Sequence, residues 1–412
     1  MNAEIIAVGS ELLLGQITNT NAKFLSTQLS QVGINVYYHT VVGDNSERLK
    51  NAIEIAENRA DLLIFTGGLG PTKDDLTKET IASHLHAALV TDTKAMHAIE
   101  KYFEKINRPM TENNRKQALV LENCTVLNND YGMAPGMYYE GKTHTYVLLP
   151  GPPKELHPMV NTKLMPILGQ KLSKNEKITS HVLRFYGIGE AELETKLEDL
   201  LENQSNPTIA PLASDGEVSI RITAKADSDE QASELINKSK EAILARVGQF
   251  VYGVNDDTLQ SRLVEELKQH HYTIAVAESL TAGLFTAELA NVAGAGAVLL
   301  GGVITYAVSA KVEQLNIEQS LIDQFGVISS ECAAAMALHV KQKFKSDIGV
   351  GLTGVAGPFD EGDIRAGTVW LGFALPNGEV KTHKLQLNSD RNMNRLRAVK
   401  FASNYLIQYL MK

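Results

Sequence analysis

Apolar and polar positions switch between two periods along the chain, and the switching divides it into three segments. In the first, Ile5 to Val8 reads as a buried strand and Asn21 to Val32 has helical spacing at Phe24, Leu25 and Leu29. Ile34 to Val42 reads as a strand, Glu47 to Asn58 as a helix and Asp61 to Phe65 as a further buried strand. Alternation of this kind predicts a doubly wound α/β domain, a parallel sheet with helices on both faces. Ligands in such folds bind beyond the carboxyl ends of the strands, where the polar loops after Val8, Val42 and Phe65 fall. A helix from Lys154 to about Gly169 closes this segment, so the first domain is expected over residues 1–170.

The second segment, residues 171–253, reads as a strand (Ile178 to Tyr186), a helix (Glu190 to Leu201), a strand near Thr208, an alternating strand (Glu217 to Lys225) and a helix (Asp229 to Val247). It is a small α+β module without a dense set of reactive side chains, suited to spacing or dimerisation. Gly253 to Asp257 reads as a linker. The third segment, residues 254–412, opens with a helix (Thr258 to His270) and a strand (Tyr272 to Ala277) and closes with a helix from Arg391 to Met411.

Leu289 to Ala310 carries no charge and is long enough to span a bilayer. Four glycines (Gly294, Gly296, Gly301, Gly302) and the polar Asn291, Thr305, Tyr306 and Ser309 interrupt it. It reads instead as a glycine-rich loop and a buried strand from Ala297 to Tyr306, and no membrane partner is expected. The 412 residues suit two or three domains. The net charge of −9, without a basic run, argues against nucleic acid as a partner. Two separated cysteines, Cys124 and Cys332, fit a reducing compartment, although one bridge stays open. Met1 to Leu14 has no basic start and does not read as a signal peptide. A cytoplasmic location is expected.

Chemistry concentrates in two places. Phe65-Thr66-Gly67-Gly68-Leu69-Gly70-Pro71-Thr72-Lys73-Asp74-Asp75-Leu76-Thr77 runs from a buried strand into a helix. Glycines there let backbone N–H groups approach an anion such as a phosphate. Asp75, together with Asp44 at the end of a neighbouring strand, offers two carboxylates for a divalent cation. The same residues serve equally well as a plain turn with Asp74 or Asp75 as a helix cap.

The second place is Glu278-Ser279-Leu280-Thr281-Ala282-Gly283, which follows the strand at Tyr272. A serine at such a junction is commonly an N-cap, and it is also where hydrolases expose a nucleophile. No histidine is suitably placed as its base, since His270 and His271 read as solvent-facing. Lys311, after the next strand, could serve if burial lowers its pKa, or it could be an ordinary solvated helix residue.

The runs Gly9 to Ile17, Thr18 to Asn21, Gly67 to Thr77, Asn113 to Ala118 and Leu149 to Leu156 closely resemble the CinA family and, more distantly, molybdopterin-binding proteins. Ala277 to Leu284 resembles the AESCTGGL signature of the nicotinamide-mononucleotide amidohydrolase domain of that family. Thr305-Tyr306 with Lys311, Gly354 to Pro358, Gly367 to Trp370, and Asp390 to Asn392 with Arg395 continue the match. The resemblance implies a molybdopterin-binding-like first domain with metal-dependent hydrolysis of ADP-ribose to AMP and ribose 5-phosphate. Gly67, Gly68, Leu69, Gly70 and Asp74 would bind the nucleotide there, and Asp44 and Asp75 the divalent metal.

For the C-terminal domain it implies metal-free deamidation of nicotinamide mononucleotide. Ser279 would be the nucleophile, Lys311 its base and Tyr306 a relay. Thr281, Ala282, Gly283, Gly354, Ala356 and Gly357 would line the site, and Arg391 would grip the phosphate, with Arg395 as a helper. Leu280, Ala282, Ala307 and the segment Phe359 to Ala366 depart from the family pattern. A homodimer is expected. Two alternatives remain at this point: a single active site, or a non-catalytic nucleotide or pterin sensor.

Overall fold

Short apolar runs give the N-terminal strands, β1 (Asn2–Val8), β2 (Asn35–Val42), β3 (Leu62–Thr66), β4 (Leu89–Thr91), β5 (Leu119–Leu121), β6 (Thr125–Leu127), β7 (Gly136–Glu140) and β8 (Thr145–Leu149). Six of them form one sheet in the order β2-β1-β3-β8-β7-β6. β1, β2, β3 and β8 run parallel, whereas β7 and β6 are added antiparallel. The sheet is therefore mixed, not wholly parallel as the alternation predicts. The reason is local: β6, β7 and β8 follow one another with no crossover helix between them, and closely linked strands pair antiparallel.

Both faces of this sheet are covered. Ile5, Leu62, Ile64 and Val147 belong to one apolar cluster with the helix Thr20–Gln31. Ile6, Leu63, Phe65 and Leu148 belong to a second, with the helices Ser46–Glu57 and Thr77–Leu85. The closing helix is interrupted. Pro153–Met159 is α-helical, Val160–Leu164 is a π-helix, and Met165–Leu172 resumes the α-helix.

The computed structural model describes residues 1–172, 177–214 and 216–411. They fall into two units, Met1–Ser180 with Ala224–Leu235, and His181–Thr223 with Ile236–Lys412. The middle strands are β9 (Lys177–Tyr186), β10 (Thr208–Ser214), β11 (Glu217–Ala226) and β12 (Val251–Val254), in the order β10-β11-β9-β12. β12 takes up part of the stretch read as a linker, because Val251 and Val254 pair with Phe185 and Leu183 of β9.

The remaining strands are β13 (Ile274–Glu278), β14 (Leu299–Ile304), β15 (Ile348–Gly354), β16 (Thr368–Ala374) and β17 (Val380–Gln386), in the order β14-β13-β15-β16-β17. β14, β13 and β15 are parallel, and β16 and β17 antiparallel. Ile274 and Val276 pack towards the helices Leu259–Gln269 and Arg391–Leu410. Ala275 and Ala277 pack towards the helix Ser330–Phe344. β14 corrects the sequence reading of a buried strand. It is an edge strand, and its residues alternate between half-buried and exposed. Its two glycines lie close to their neighbours on the sheet. A Cβ at Gly302 would lie 3.0 Å from the Val276 carbonyl. No helix among the described residues is long and apolar enough to cross a membrane.

Candidate active sites

The carboxyl ends of β13, β14 and β15 lie together because the three strands are parallel neighbours. Glu278, the last residue of β13, is level with Ile304 of β14 and Leu352 of β15. Ser279 donates its N–H to the Leu352 carbonyl at 2.9 Å, and the chain then turns away from the sheet. The turn is left-handed, with φ of 49° at Ala282 and 91° at Gly283. An alanine held there costs on the order of 1 kcal/mol, so the surroundings must fix it.

Two groups do so. The buried Glu278 carboxylate accepts from the Phe285 N–H (3.0 Å), the Thr286 N–H (2.9 Å) and the Thr286 hydroxyl (2.6 Å), at the start of the helix Leu284–Ala290. Arg395 donates to the Leu280 carbonyl through Nε (3.1 Å) and to the Thr281 carbonyl through Nη2 (2.7 Å). The helix is thus capped by Glu278, with Gly283 at the N-cap position. Ser279 is not a cap, and its hydroxyl is available for other work.

Lys311 lies within the helix Val308–Leu315 and is buried, which removes the solvated alternative. Its Nζ is 3.0 Å from Ser279 Oγ and donates to the Thr305 carbonyl at 2.7 Å. Burial pushes its pKa below the ordinary lysine value, although the nearby Cys332 thiol and Glu361 carboxylate pull it back. Desolvation likewise raises the Cys332 thiol. An amine that readily loses its proton, in hydrogen-bond contact with a hydroxyl, forms a nucleophile–base pair.

A pocket of about 250 Å³ opens over this pair, lined also by Leu280, Tyr306, Gly354, Ala356, Glu361 and Arg391. Arg391 donates to the Gly357 carbonyl and to the Tyr306 hydroxyl, both at 2.8 Å. It also lines a neighbouring pocket of about 480 Å³ with Gly357. Asn394 donates to the Ala356 carbonyl at 3.0 Å.

Thr281, Ala282 and Gly283 follow on the left-handed turn and are not among the residues lining this pocket. The Ala282 N–H is already committed to the Ser279 carbonyl at 3.1 Å. The amide of Leu280, by contrast, has no acceptor among the described residues and belongs to the pocket wall. Tyr306 shares the pocket, and its hydroxyl accepts from Arg391. The sequence reading missed Glu278 as the cap and Glu361 in the pocket; the acidic residue seven before Phe285 was the available signal for the first.

In the N-terminal unit the run Gly67 to Asp75 borders a cleft of about 1140 Å³. Gly67 and Gly68 have φ of 97° and 68°, and a Cβ on them would lie 2.3 Å from the Val8 carbonyl and 2.1 Å from Thr77 Oγ1. Only glycine fits either position. Leu69, Gly70, Asp74, Asp75 and Asp44 all line the cleft. Asp44 accepts from the Ser10 N–H and hydroxyl, each at 2.8 Å, through one carboxylate oxygen. Asp75 accepts from the Thr72 N–H at 2.8 Å, also through one oxygen. The Thr72 hydroxyl donates to the same Asp75 oxygen at 2.5 Å.

Each of Asp44 and Asp75 keeps a second oxygen for another ligand, so the pair suits a cation that brings its own water or phosphate oxygens. No group of three or more acidic, histidine or cysteine side chains forms an ion cage among the described residues. Beneath the loop, Lys78 is buried and donates to the Lys116 carbonyl. Burial lowers its pKa to about 8. Lys116 in turn donates to the Asp75 carbonyl.

The chain matches three family profiles in succession: a probable molybdopterin binding domain over residues 4–170, a damage-inducible protein CinA KH domain over 180–253, and a CinA C-terminal domain over 256–410. These define a mixed α/β protein that combines a molybdopterin-binding-type domain, a KH-like middle domain and a CinA C-terminal domain. A competence-damage inducible protein of Lysinibacillus sphaericus is 60% identical over 410 residues, covering 100% of this chain and 98% of its own. One from Geobacillus kaustophilus is 53% identical, covering 100% of this chain and 99% of its own. The chain belongs to the CinA family. Among solved structures, a CinA protein of Thermoplasma acidophilum is 33% identical over 40% of this chain and 97% of its own, with a TM-score of 0.37.

Proposed function

We propose that the C-terminal site hydrolyses a ring carboxamide, that of nicotinamide mononucleotide, to the carboxylate and ammonia. The observation that carries this reading is the buried contact of 3.0 Å between Lys311 Nζ and Ser279 Oγ. Lys311 takes the hydroxyl proton as Ser279 Oγ bonds to the carboxamide carbon. The Leu280 amide, next after the nucleophile, faces the oxyanion. Lys311 returns its proton to the departing nitrogen, ammonia leaves, and water attacks the acyl-serine to release nicotinate mononucleotide and restore Ser279. Arg391 meets the phosphate at the border of the two pockets. No metal is required by these steps.

The test is ammonia release from nicotinamide mononucleotide in the presence of a chelator. Release by the wild type that disappears in Ser279→Ala supports the reading; a folded wild type that releases none overturns it.

A second activity has its own support. The glycine loop and the two carboxylates on one cleft suit a pyrophosphate such as that of ADP-ribose, hydrolysed to AMP and ribose 5-phosphate. Asp44 and Asp75 would hold a divalent cation, which when bound neutralises phosphate charge and acidifies water. Gly67 to Gly70 would offer N–H groups to the phosphates. Unchanged ADP-ribose hydrolysis in Asp75→Ala overturns this assignment. A homodimer and a cytoplasmic location accompany the proposal, with small nucleotides rather than nucleic acid or membrane as partners.

A further inference from the structure

The loop between β15 and β16 places Glu361 on the wall of the Ser279 pocket. The loop is a tight hairpin. The Glu361 N–H donates to the Ile364 carbonyl at 2.9 Å, and the Ile364 N–H returns to the Glu361 carbonyl at 3.0 Å. Asp360 accepts from the Ala366 N–H at 2.7 Å. Glu361 is therefore placed by backbone bonds, and it lines the pocket with Ser279, Lys311 and Arg391.

Its carboxylate has no ion-pair partner among the described residues. Arg391, on the same pocket, donates to the Gly357 carbonyl and the Tyr306 hydroxyl. A free carboxylate in this position works against the base, because a negative neighbour favours the protonated lysine. A positive group that enters the pocket meets this carboxylate. Apart from Glu361, Lys311 and Arg391, the lining is uncharged.

We propose that Glu361 selects ligands whose aromatic ring carries a fixed positive charge, as the pyridinium of a nicotinamide nucleotide does. This rests on the deamidation reading and adds to it the ground for choosing among carboxamides. One anionic and one cationic residue on the same small pocket match a ligand with a cationic ring and an anionic phosphate. A neutral aromatic amide of the same shape gains nothing from Glu361 and loses the water that solvates it.

The experiment measures the Kd of nicotinamide mononucleotide and of its neutral isostere, benzamide riboside 5′-monophosphate, by calorimetry on the full chain, with Ser279→Ala added in the titrations alone so that no ligand is consumed. Wild type, Glu361→Gln and Glu361→Lys are compared, with ammonia release followed in parallel. The wild type is expected to prefer the cationic ligand by about tenfold, which is about 1.4 kcal/mol. The preference should fall towards unity in Glu361→Gln and invert in Glu361→Lys. A wild-type ratio near unity, or a ratio unchanged in Glu361→Gln, overturns the proposal. If the wild type binds both ligands and deamidates neither, the deamidation reading fails and the Kd ratio still decides the role of Glu361. If it binds neither, both fail.

Discussion

Replacing Lys311 by Met tests whether the buried contact to Ser279 is a working unit. The substitution keeps the length of the side chain and removes the amine that lies 3.0 Å from Ser279 Oγ and 2.7 Å from the Thr305 carbonyl. A general base of this kind contributes about 10²–10⁴-fold. A thousandfold loss of kcat corresponds to about 4 kcal/mol of transition-state stabilisation. Because the hydroxyl and amine act together, Ser279→Ala, Lys311→Met and the double variant should lose similar amounts, with no further loss on combination.

The pH profile provides a second arm. Lys311 must be neutral to act, so kcat/KM should rise with pH and level off above a pKa lower than the ordinary lysine value of 10.5. Stability is the control. Methionine fills nearly the same volume, and the penalty for the unpaired Thr305 carbonyl is about 1–3 kcal/mol, so a melting curve must show the variant folded. The assay is single-turnover ammonia release under saturating nucleotide. Losses that multiply in the double variant, or a folded Lys311→Met that keeps more than a tenth of the wild-type rate, refute the pairing.

Tyr306→Phe should change kcat less than about threefold and raise KM, because the lost hydroxyl supports Arg391 and not the nucleophile; steady-state kinetics decide it. Glu278→Gln leaves a donor group facing two backbone N–H groups and a hydroxyl, and should cost about 2–3 kcal/mol in denaturant unfolding. Lys78, with its pKa lowered to about 8, links stability to pH. Below pH 8 folded and unfolded chains both carry its charge. Between 8 and 10.5 the folded chain has shed a proton that the unfolded chain keeps, so stability rises with pH by up to about 3 kcal/mol. Lys78→Met should flatten that rise relative to wild type, as read by hydrogen exchange in the helix Thr77–Leu85.

Much of this was legible because periodicity reports burial. β1, β3 and β13 are apolar runs inside sheets, and the sequence marks the ends of each within three residues. β14 shows the limit of that signal. Its uncharged residues read as buried, yet the strand lies at the edge, and no local pattern distinguishes an edge occupied by glycines from an interior position. Short strands such as β4 and β5, three residues each, are too brief to show a period.

The site was legible as a set of motifs and not as a set of contacts. Ser279, Lys311 and Arg391 were identifiable as residues, whereas the bond from Arg391 to Tyr306 depends on how two distant elements meet. Likewise, the turn after Thr281 holds two left-handed residues whose φ angles leave no mark in the composition.

The pairing of β13 with both β14 and β15 has a consequence for how reactivity emerges. Ser279 depends on Leu352 for its backbone bond and on Lys311 for its side-chain bond, while the turn beyond it depends on Arg395. No short stretch of chain contains even a partial site. Contacts so distant in sequence form late, since each must first close a long loop. A serine-directed acylating probe added during refolding should therefore remain unreactive while helices accumulate, and label only once the sheet has closed. Ser279 would then serve as a clock for the last step in the folding of its unit.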